Sequence, residues 1–345
     1  MAYSNKIGNA SFLAALMVVG IHTASQEPSA IAKGTALWWL EAFGHYGVFA
    51  IAVPFFFICS GYFLAAHMEA NGWWKRECFK RIKTLLVPYI IWNLVALLLN
   101  KYTHDHISYV GHLRCLADAL GLNPFAGPSL YPLWYVRSLL IFVIISPILL
   151  FVIKRRYGKW MLSMLIVCSF AVSIYGMCAH GAGRWHERIY SMLTYCFSVE
   201  GLFYFCCGMY GRMEKVRLPS RGNVVSLIVG FCLAGLGGYC CMSGIKHIIA
   251  FWVPFLLFGL WRFIPNTPLP KCLAGQSFVI YVLHVVIFIC LGIVYQLVVG
   301  QPIPRVGSVP QWVLKLALGV CGSLFIALIL RKWCFRLYNL VFGGR

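Results

Sequence analysis

Charged residues, and acidic residues above all, are scarce in this 345-residue chain. Aspartate and glutamate together number nine, charged residues make up 11% of the chain, and hydrophobic residues make up 61%. Soluble globular domains carry about 25% charged and about 45–50% apolar residues. A soluble enzyme is excluded, because so few charges cannot keep this much apolar surface in solution, and a disordered chain would contain far fewer apolar residues. The composition indicates an integral membrane protein.

Several chemical motifs are also missing. The 15 cysteines include no Cys-x-x-Cys pair, and no group of Cys and His residues has the spacing of a zinc site. No glycine-rich phosphate loop follows a strand-like segment. Most cysteines lie in apolar segments, where free cysteine packs as a small apolar residue. We therefore expect no metal and no disulfide scaffold, and we interpret Gly235, Gly237 and Gly238 as positions of close helix packing.

Long apolar runs are what the chain has in abundance. Ten segments reach, or nearly reach, the roughly 20 residues that a membrane helix needs. They are continuously apolar, whereas the strands of a membrane barrel alternate apolar and polar residues. The predicted fold class is all-α: a single polytopic membrane helix bundle over residues 1–345 with about ten transmembrane helices. The predicted spans are residues 7–23, 44–66, 84–100, 131–153, 159–178, 189–211, 223–242, 247–264, 273–299 and 309–330.

Basic residues are divided unequally between the predicted loops. Lysine and arginine number 29, and the net charge is +20. Of these, 20 lie in the two tails and in alternate loops, seven lie in the opposite loops, and Arg137 and Lys315 lie inside spans. Cytoplasmic loops carry the excess of basic residues in membrane proteins, so both termini are predicted to be cytoplasmic. The charge therefore reports orientation in membrane lipid, and nucleic acid is not an expected partner.

We single out five ionisable residues inside the predicted spans, where a charge is costly unless it faces a cavity or a partner. They are His22, Arg137, Glu200, His284 and Lys315. His22 and Arg137 fall near the outer ends of their helices and can form a polar site in which the imidazole removes a proton from a hydroxyl. Simpler interpretations stay open. A membrane histidine can bond to a neighbouring helix, Arg137 and Glu200 can form a structural ion pair, and Lys315 can extend to the surface.

A second polar cluster is predicted at the cytoplasmic face, between the second and third spans. The second span ends on a Ser-Gly-Tyr sequence at residues 60–62, and Lys80, Arg81 and Lys83 precede the third. Basic side chains beside a helix end of small residues suit a phosphate-rich ligand that approaches from the cytoplasm. Ordinary charge asymmetry between the loops is the simpler interpretation.

Five segments, taken in order, resemble the motifs of the membrane acyltransferase-3 family, which moves acyl groups, usually acetyl, onto extracytoplasmic glycans. They are NASFLAALMVVGIH at 9–22, VPFFFICSGYFL at 53–64, KRIKTLLVPYIIWN at 80–93, YPLWYVRSLLIFVIISPIL at 131–149 and SFVIYVLH at 277–284. The chain departs from the pattern at Ser11, where the family has an arginine eleven residues before the histidine. The paired basic motif also departs, with lysine at Lys83.

The resemblance implies a membrane-bound O-acyltransferase of the bacterial plasma membrane. Its donor would be acyl-CoA, in the first instance acetyl-CoA, and its acceptor a glycan or lipid-linked saccharide. It implies that His22 is the general base and that Arg137 shares its site. The residues predicted to bind the donor are Lys80, Arg81, Lys83, Ser60, Tyr62 and Ser11, and those predicted to bind the acceptor are Trp134, Glu200 and His284.

Two functions of other classes also fit the sequence. Buried Arg, Glu and His residues occur in transporters of lipid-linked sugars or small anions, although this chain shows no pair of broken helices in matching halves. A catalytically weak relative that acts as a sensor or assembly partner would explain the missing arginine at Ser11. An acyltransferase is expected to turn over acyl-CoA, and a transporter is expected to move its substrate along a gradient without chemistry. A sensor or assembly partner is expected to do neither.

Overall fold

Helices joined by turns make up the protein. The computed structural model describes residues 2–100, 123–125, 127–154, 157–179, 182–216, 223–243 and 252–344, and no strand occurs among them, as the all-α prediction requires. The α-helices, in chain order, are α1 (Ala2–His22), α2 (Ala36–Leu40), α3 (Ala52–Ala65), α4 (Trp73–Arg81), α5 (Val87–Asn100), α6 (Trp134–Lys154), α7 (Gly158–Ala179), α8 (Arg184–Ser191), α9 (Val199–Met213), α10 (Asn223–Met242), α11 (Val253–Trp261), α12 (Ser277–Val299), α13 (Val309–Trp333) and α14 (Phe335–Phe342).

Eight stretches of helix in the described part of the chain are long and apolar enough to cross a membrane. They are Ala36–Ala65, Trp73–Leu99, Tyr131–Lys154, Gly158–Ala179, Arg184–Met213, Val224–Met242, Ser277–Val299 and Val309–Trp333. They coincide with eight of the ten predicted spans, and this is the architecture of a multi-pass membrane protein.

The two remaining predicted spans correspond to α1 and α11. Helix α1 has 21 residues but begins with polar residues such as Asn5 and Lys6. Helix α11 has nine residues, and residues 247–251 of the eighth predicted span lie outside the described residues. The count of ten and the cytoplasmic location of both termini therefore stay predictions.

Two spans begin well before the residues that hydropathy predicts. The second begins at Ala36 rather than residue 44, because the Thr35 hydroxyl accepts a hydrogen bond from the backbone N–H of Trp38 (3.2 Å) and caps the helix. The third begins at Trp73 rather than residue 84, so most of the basic segment between them is helical. An apolar run identifies only the part of a helix that lies in lipid. Polar residues that extend the helix beyond this part are therefore not detected by hydropathy.

Three of the spans contain a wide, π-helical turn. These turns are Glu41–His45, Ile82–Leu86 and Met192–Cys196. Such turns release backbone groups from the regular hydrogen-bond pattern and are frequent at functional sites. Beyond the last of them, Ser198 has φ 41° and begins α9, so the span Arg184–Met213 is interrupted inside the bundle.

Helices α3 and α9 pack backbone against backbone. A Cβ added at Gly61 would overlap the carbonyl oxygen of Phe205, and one added at Gly208 would overlap the carbonyl oxygen of Ile58. Small residues at both positions therefore allow an approach that no larger side chain permits. This contact holds two of the interrupted spans together.

Helix α10 shows the close packing that its glycines predict. A Cβ added at Gly237 would overlap the Trp252 ring, and one added at Gly238 would overlap the Ala42 carbonyl oxygen. The prediction is therefore confirmed at these two positions. At Gly235 the nearest atom, on Phe43, would lie 3.5 Å away, which is an ordinary contact.

Replacing Gly208 with alanine tests the contact between α3 and α9. The added methyl group has no space against the α3 backbone, so we expect Gly208→Ala to lower the free energy of unfolding by about 1–3 kcal/mol. Thermal unfolding of the purified protein in detergent would measure the change. Gly211→Ala on the same helix is the matched control, because a Cβ there meets nothing within 4 Å. Equal melting temperatures for the two variants would contradict the contact.

Candidate active site

His22, at the end of α1, and His284, in α12, face each other inside the bundle. Their ring centroids are 5.2 Å apart. His284 is fully buried, and its Nδ1 lies 2.8 Å from the carbonyl oxygen of Ile280. Because a carbonyl only accepts, Nδ1 carries the proton of the neutral ring and Nε2 keeps a lone pair. Nε2 has no hydrogen-bond partner among the described residues, so a proton acceptor lies open beside a second imidazole.

Aromatic rings connect the histidine pair to a polar cavity. The His22 ring packs edge-on against Tyr131 (6.1 Å between centroids), and Tyr195 contacts both Tyr131 (5.8 Å) and Trp134 (5.6 Å). The cavity has a volume of about 270 Å³, and its lining includes Trp134, Tyr195 and Glu200. Two of the predicted acceptor-binding residues, Trp134 and Glu200, therefore share one cavity.

Arg137 is buried beside this cavity and holds backbone groups. Its two terminal nitrogens donate to the carbonyl oxygens of Asn123 (3.2 Å) and Tyr195 (3.3 Å). The neighbouring Ser138 hydroxyl donates to the carbonyls of Tyr195 (3.2 Å) and Cys196 (3.0 Å). These carbonyls belong to the π-helical turn before the break at Ser198, so Arg137 holds the wall of the cavity in place.

The sequence left open an ion pair between Arg137 and Glu200. The ion pairs within the described ranges join Glu77 to Lys80 and Arg81, and Glu27 to Arg305, so this pair is not formed there. Arg137 instead neutralises backbone dipoles. Glu200 lies in the first turn of α9, where a negative charge is favoured by the helix dipole.

Residues from three of the sequence motifs meet in the interior between α3, α6 and α12. The Ser60 hydroxyl lies 3.2 Å from the Tyr135 hydroxyl. The Tyr135 ring contacts Tyr281 (6.0 Å between centroids), whose hydroxyl donates to the carbonyl oxygen of Pro132. Motifs that are far apart in the sequence thus form one polar seam. Tyr281, which belongs to this seam, precedes His284 by three residues on α12.

Tyr62 points to the opposite side of α3 from Ser60. Its hydroxyl accepts a hydrogen bond from Arg212 (3.2 Å), and the guanidinium also lies 5.2 Å from the ring centroid. Tyr62 lines an apolar cavity of about 620 Å³ between α1, α3, α9 and α11. The two predicted donor-binding residues of this motif are therefore separated by the helix that carries them.

The apolar cavity follows α1 towards His22. Its α1 lining begins at Ile7 and ends at Met17. Ten residues of helix span about 15 Å, and Met17 lies five residues, or about 7.5 Å along the axis, before His22. Ser11 lies within this stretch but does not line the cavity. The cavity thus extends from the region of the predicted cytoplasmic face towards the histidine pair and ends at Met17.

The three predicted phosphate-binding cations lie on one helical segment and differ in their surroundings. Lys80 and Arg81 lie 3.9 Å and 3.4 Å from the carboxylate of Glu77, which is buried. Lys83 is exposed. Glu77 neutralises part of the basic cluster, so the segment presents less charge than its lysine and arginine content indicates.

Sequence reasoning missed two residues near the histidine pair, Glu41 and His45. Glu41 was assigned to an outer loop, but Thr35 caps the helix early and brings it into the span. His45 lies at the start of the predicted span 44–66 and was not singled out as a candidate. His45 Nδ1 lies 2.8 Å from the carbonyl oxygen of Ile21, the residue before His22. The signal available in the sequence was the threonine cap followed by the apolar residues Trp38 and Trp39.

The chain belongs to the acyltransferase-3 family. The family profile, described as an acyltransferase domain, matches residues 10–331. The match covers all five motif segments apart from Asn9, the first residue of the first segment. No curated protein and no solved structure shows significant similarity to the chain. The family and the eight apolar helices together define a multi-pass membrane acyltransferase.

Replacing Arg137 with methionine tests its structural role. Hydrogen bonds to charged groups contribute about 1.5–3 kcal/mol each, so Arg137→Met should lower the free energy of unfolding by at least that amount. Thermal unfolding in detergent measures the effect. Arg212→Met is the control, since Arg212 is exposed and its bond goes to a tyrosine hydroxyl. An Arg137→Met protein as stable as this control would refute the role.

Proposed function

We propose that this protein transfers an acyl group, in the first instance acetyl, from cytoplasmic acyl-CoA to a hydroxyl of an extracytoplasmic glycan or lipid-linked saccharide. The site would lie in the bacterial plasma membrane. The observation that carries the proposal is the pair of imidazoles, His22 and His284, with an open Nε2 on His284 and a polar cavity that is linked to His22 through the rings of Tyr131 and Tyr195. An O-acyl transfer needs a base at the acceptor hydroxyl, and histidine is the side chain most often used for it.

In the proposed reaction, His22 takes the proton of the acceptor hydroxyl while the hydroxyl oxygen attacks the thioester carbonyl. The carbon–sulfur bond then breaks, and the proton passes from the imidazole to the sulfur, so that free CoA thiol and an ester are the products. His284 accepts a hydrogen bond or the proton at Nε2 and supports His22. Direct transfer is the simplest route, and a transient acyl-enzyme is the alternative.

The two cavities suggest separate paths for donor and acceptor. In the proposal, the donor phosphates bind Lys80, Arg81 and Lys83, and the acyl group enters beside Tyr62 and follows the apolar cavity along α1. Ser11 would lie on the donor side, and Ser60 in the polar seam that separates the cavities. The acceptor would bind in the cavity of Trp134 and Glu200, next to the wall that Arg137 holds.

A transport function is the second candidate, because the structure contains interrupted membrane helices. The spans Ala36–Ala65 and Arg184–Met213 each contain a π-helical turn, and interrupted helices form the substrate sites of many transporters. Proteoliposomes separate the two functions. A transporter accumulates its substrate without loss of acyl-CoA, whereas an acyltransferase consumes acyl-CoA and forms an acylated product.

Replacing His22 tests the proposed function. Membranes that contain the protein are given radiolabelled acetyl-CoA, and the label in the envelope glycan is measured. General-base catalysis contributes at least about 10²-fold, so His22→Ala should reduce transfer by that factor or more. His186→Ala is the control, because His186 is exposed and lies 3.1 Å from Tyr175 rather than near the site. Near-normal transfer by a folded His22→Ala protein would remove His22 from the mechanism.

Substitutions in the basic segment before α5 test whether it binds the donor. Each charge-assisted bond to a phosphate contributes about 1.5–3 kcal/mol, and 1.4 kcal/mol corresponds to a tenfold change. The double variant Arg81→Ala with Lys83→Ala should therefore raise the half-saturating acetyl-CoA concentration by at least about tenfold and leave that of the acceptor unchanged. Lys154→Ala, which removes an exposed cation at the end of α6, is the control. Unchanged donor saturation would rule out phosphate binding by this segment.

A further inference from the structure

Glu41 is a fully buried carboxylate with one occupied and one open oxygen. Its exposed fraction is 0%. Oε1 accepts hydrogen bonds from the backbone N–H of Ser25 (2.8 Å) and from the Ser25 hydroxyl (2.6 Å). Oε2 has no hydrogen-bond partner within the described ranges. A buried carboxylate oxygen without a donor is costly, so its retention points to a ligand that supplies one.

The charges around Glu41 balance it without covering Oε2. Lys315 on α13 and His45 in the same π-helical turn both interact electrostatically with the carboxylate. The phenol of Tyr46 also interacts electrostatically with it. No direct ion pair joins Glu41 to Lys315 among the ion pairs of the described residues. A negatively charged group at Oε2 would be repelled by the carboxylate, whereas an uncharged hydrogen-bond donor would not.

An open donor lies in the same region. The indole Nε1 of Trp312 is buried and has no hydrogen-bond partner in the described part of the chain. Trp312 precedes Lys315 by three residues, about one helical turn. Its ring stacks on Phe49 (6.2 Å between centroids), and the Phe49 ring packs against Gly20 and Gly44. The open donor and the open acceptor thus lie around the last turns of α1.

This polar cluster is hydrogen-bonded to residues that flank His22 in the sequence. His45 bonds to the carbonyl oxygen of Ile21, and the Ser25 hydroxyl that binds Glu41 also accepts from the backbone N–H of Gly307 (3.2 Å). The cluster therefore surrounds the residues on both sides of His22. Tyr131 and the polar cavity reach His22 through the aromatic contacts already described.

We propose that Glu41 Oε2 is a binding subsite for a hydroxyl group of the acceptor saccharide, other than the hydroxyl that is acylated, with Trp312 Nε1 as a second contact. A sugar hydroxyl is uncharged and both donates and accepts, which matches an open carboxylate oxygen and an open N–H. The inference rests on the proposed function and assigns part of its acceptor specificity to residues outside the five sequence motifs.

The test uses unacylated envelope glycan, extracted from cells that lack this protein, and radiolabelled acetyl-CoA. Glu41→Gln keeps the shape and the acceptor for Ser25 but replaces the open oxygen with a donor. We expect the half-saturating glycan concentration to rise at least tenfold and that of acetyl-CoA to stay within twofold. Glu27→Gln is the matched control, because the Glu27 side chain is about half exposed and its carboxylate is paired with Arg305 at 2.7 Å.

Binding of the same glycan to purified protein, without donor, completes the test. Wild-type protein should bind it, and Glu41→Gln should bind at least tenfold more weakly. If Glu41→Gln does not fold, Trp312→Phe keeps the ring stack, removes the N–H, and should show the same selective loss. Unaltered glycan saturation, or a lower rate with both saturations unchanged, would overturn the subsite. Absence of transfer by the wild type, with glycan binding intact, would overturn the proposed function instead.

Discussion

The hydrogen bonds from Arg137 and Ser138 to the carbonyls of Tyr195 and Cys196 are the constraint on which the polar cavity depends. Lipid offers no donors, so a membrane helix can leave its regular hydrogen-bond pattern only where the protein satisfies the released groups. Arg137 and Ser138 do this at the turn before Ser198. The break in turn brings Tyr195 against Trp134 and places Glu200 in the first turn of α9. The buried arginine is thus explained by backbone geometry.

Three faces of α3 make three different kinds of contact. The face that carries Gly61 fits against the backbone of α9, the face of Ser60 joins the tyrosines of α6 and α12, and the face of Tyr62 borders the apolar cavity. A single motif of three adjacent residues therefore contributes to three different contacts, because successive residues of a helix point about 100° apart. Substitutions within it should have unrelated effects.

Much of the fold was predictable from the sequence, since continuous apolar runs require helices in lipid. The motifs identified His22 and His284 separately as candidate residues, but that the two rings lie together is seen only in the structure. Other features were not predictable. Glu41 and Glu77 occupy polar segments that a hydropathy scan assigns to loops, and only the helix cap at Thr35 and the folded helix at Trp73 bury them. The bond from Arg137 to Tyr195 joins residues 58 positions apart, and no local pattern encodes such a contact.

The position of His22 between two unlike cavities gives the proposed reaction its physical logic. The apolar cavity ends at Met17, one and a half turns before His22, and the polar cavity reaches the same ring through Tyr131 and Tyr195. An acyl chain favours the first environment and a hydroxylated sugar the second, so each reactant would be selected by the cavity it enters. The thioester and the hydroxyl would then meet only at the imidazole pair, where no bulk water is needed for proton transfer because His284 keeps an open acceptor at Nε2.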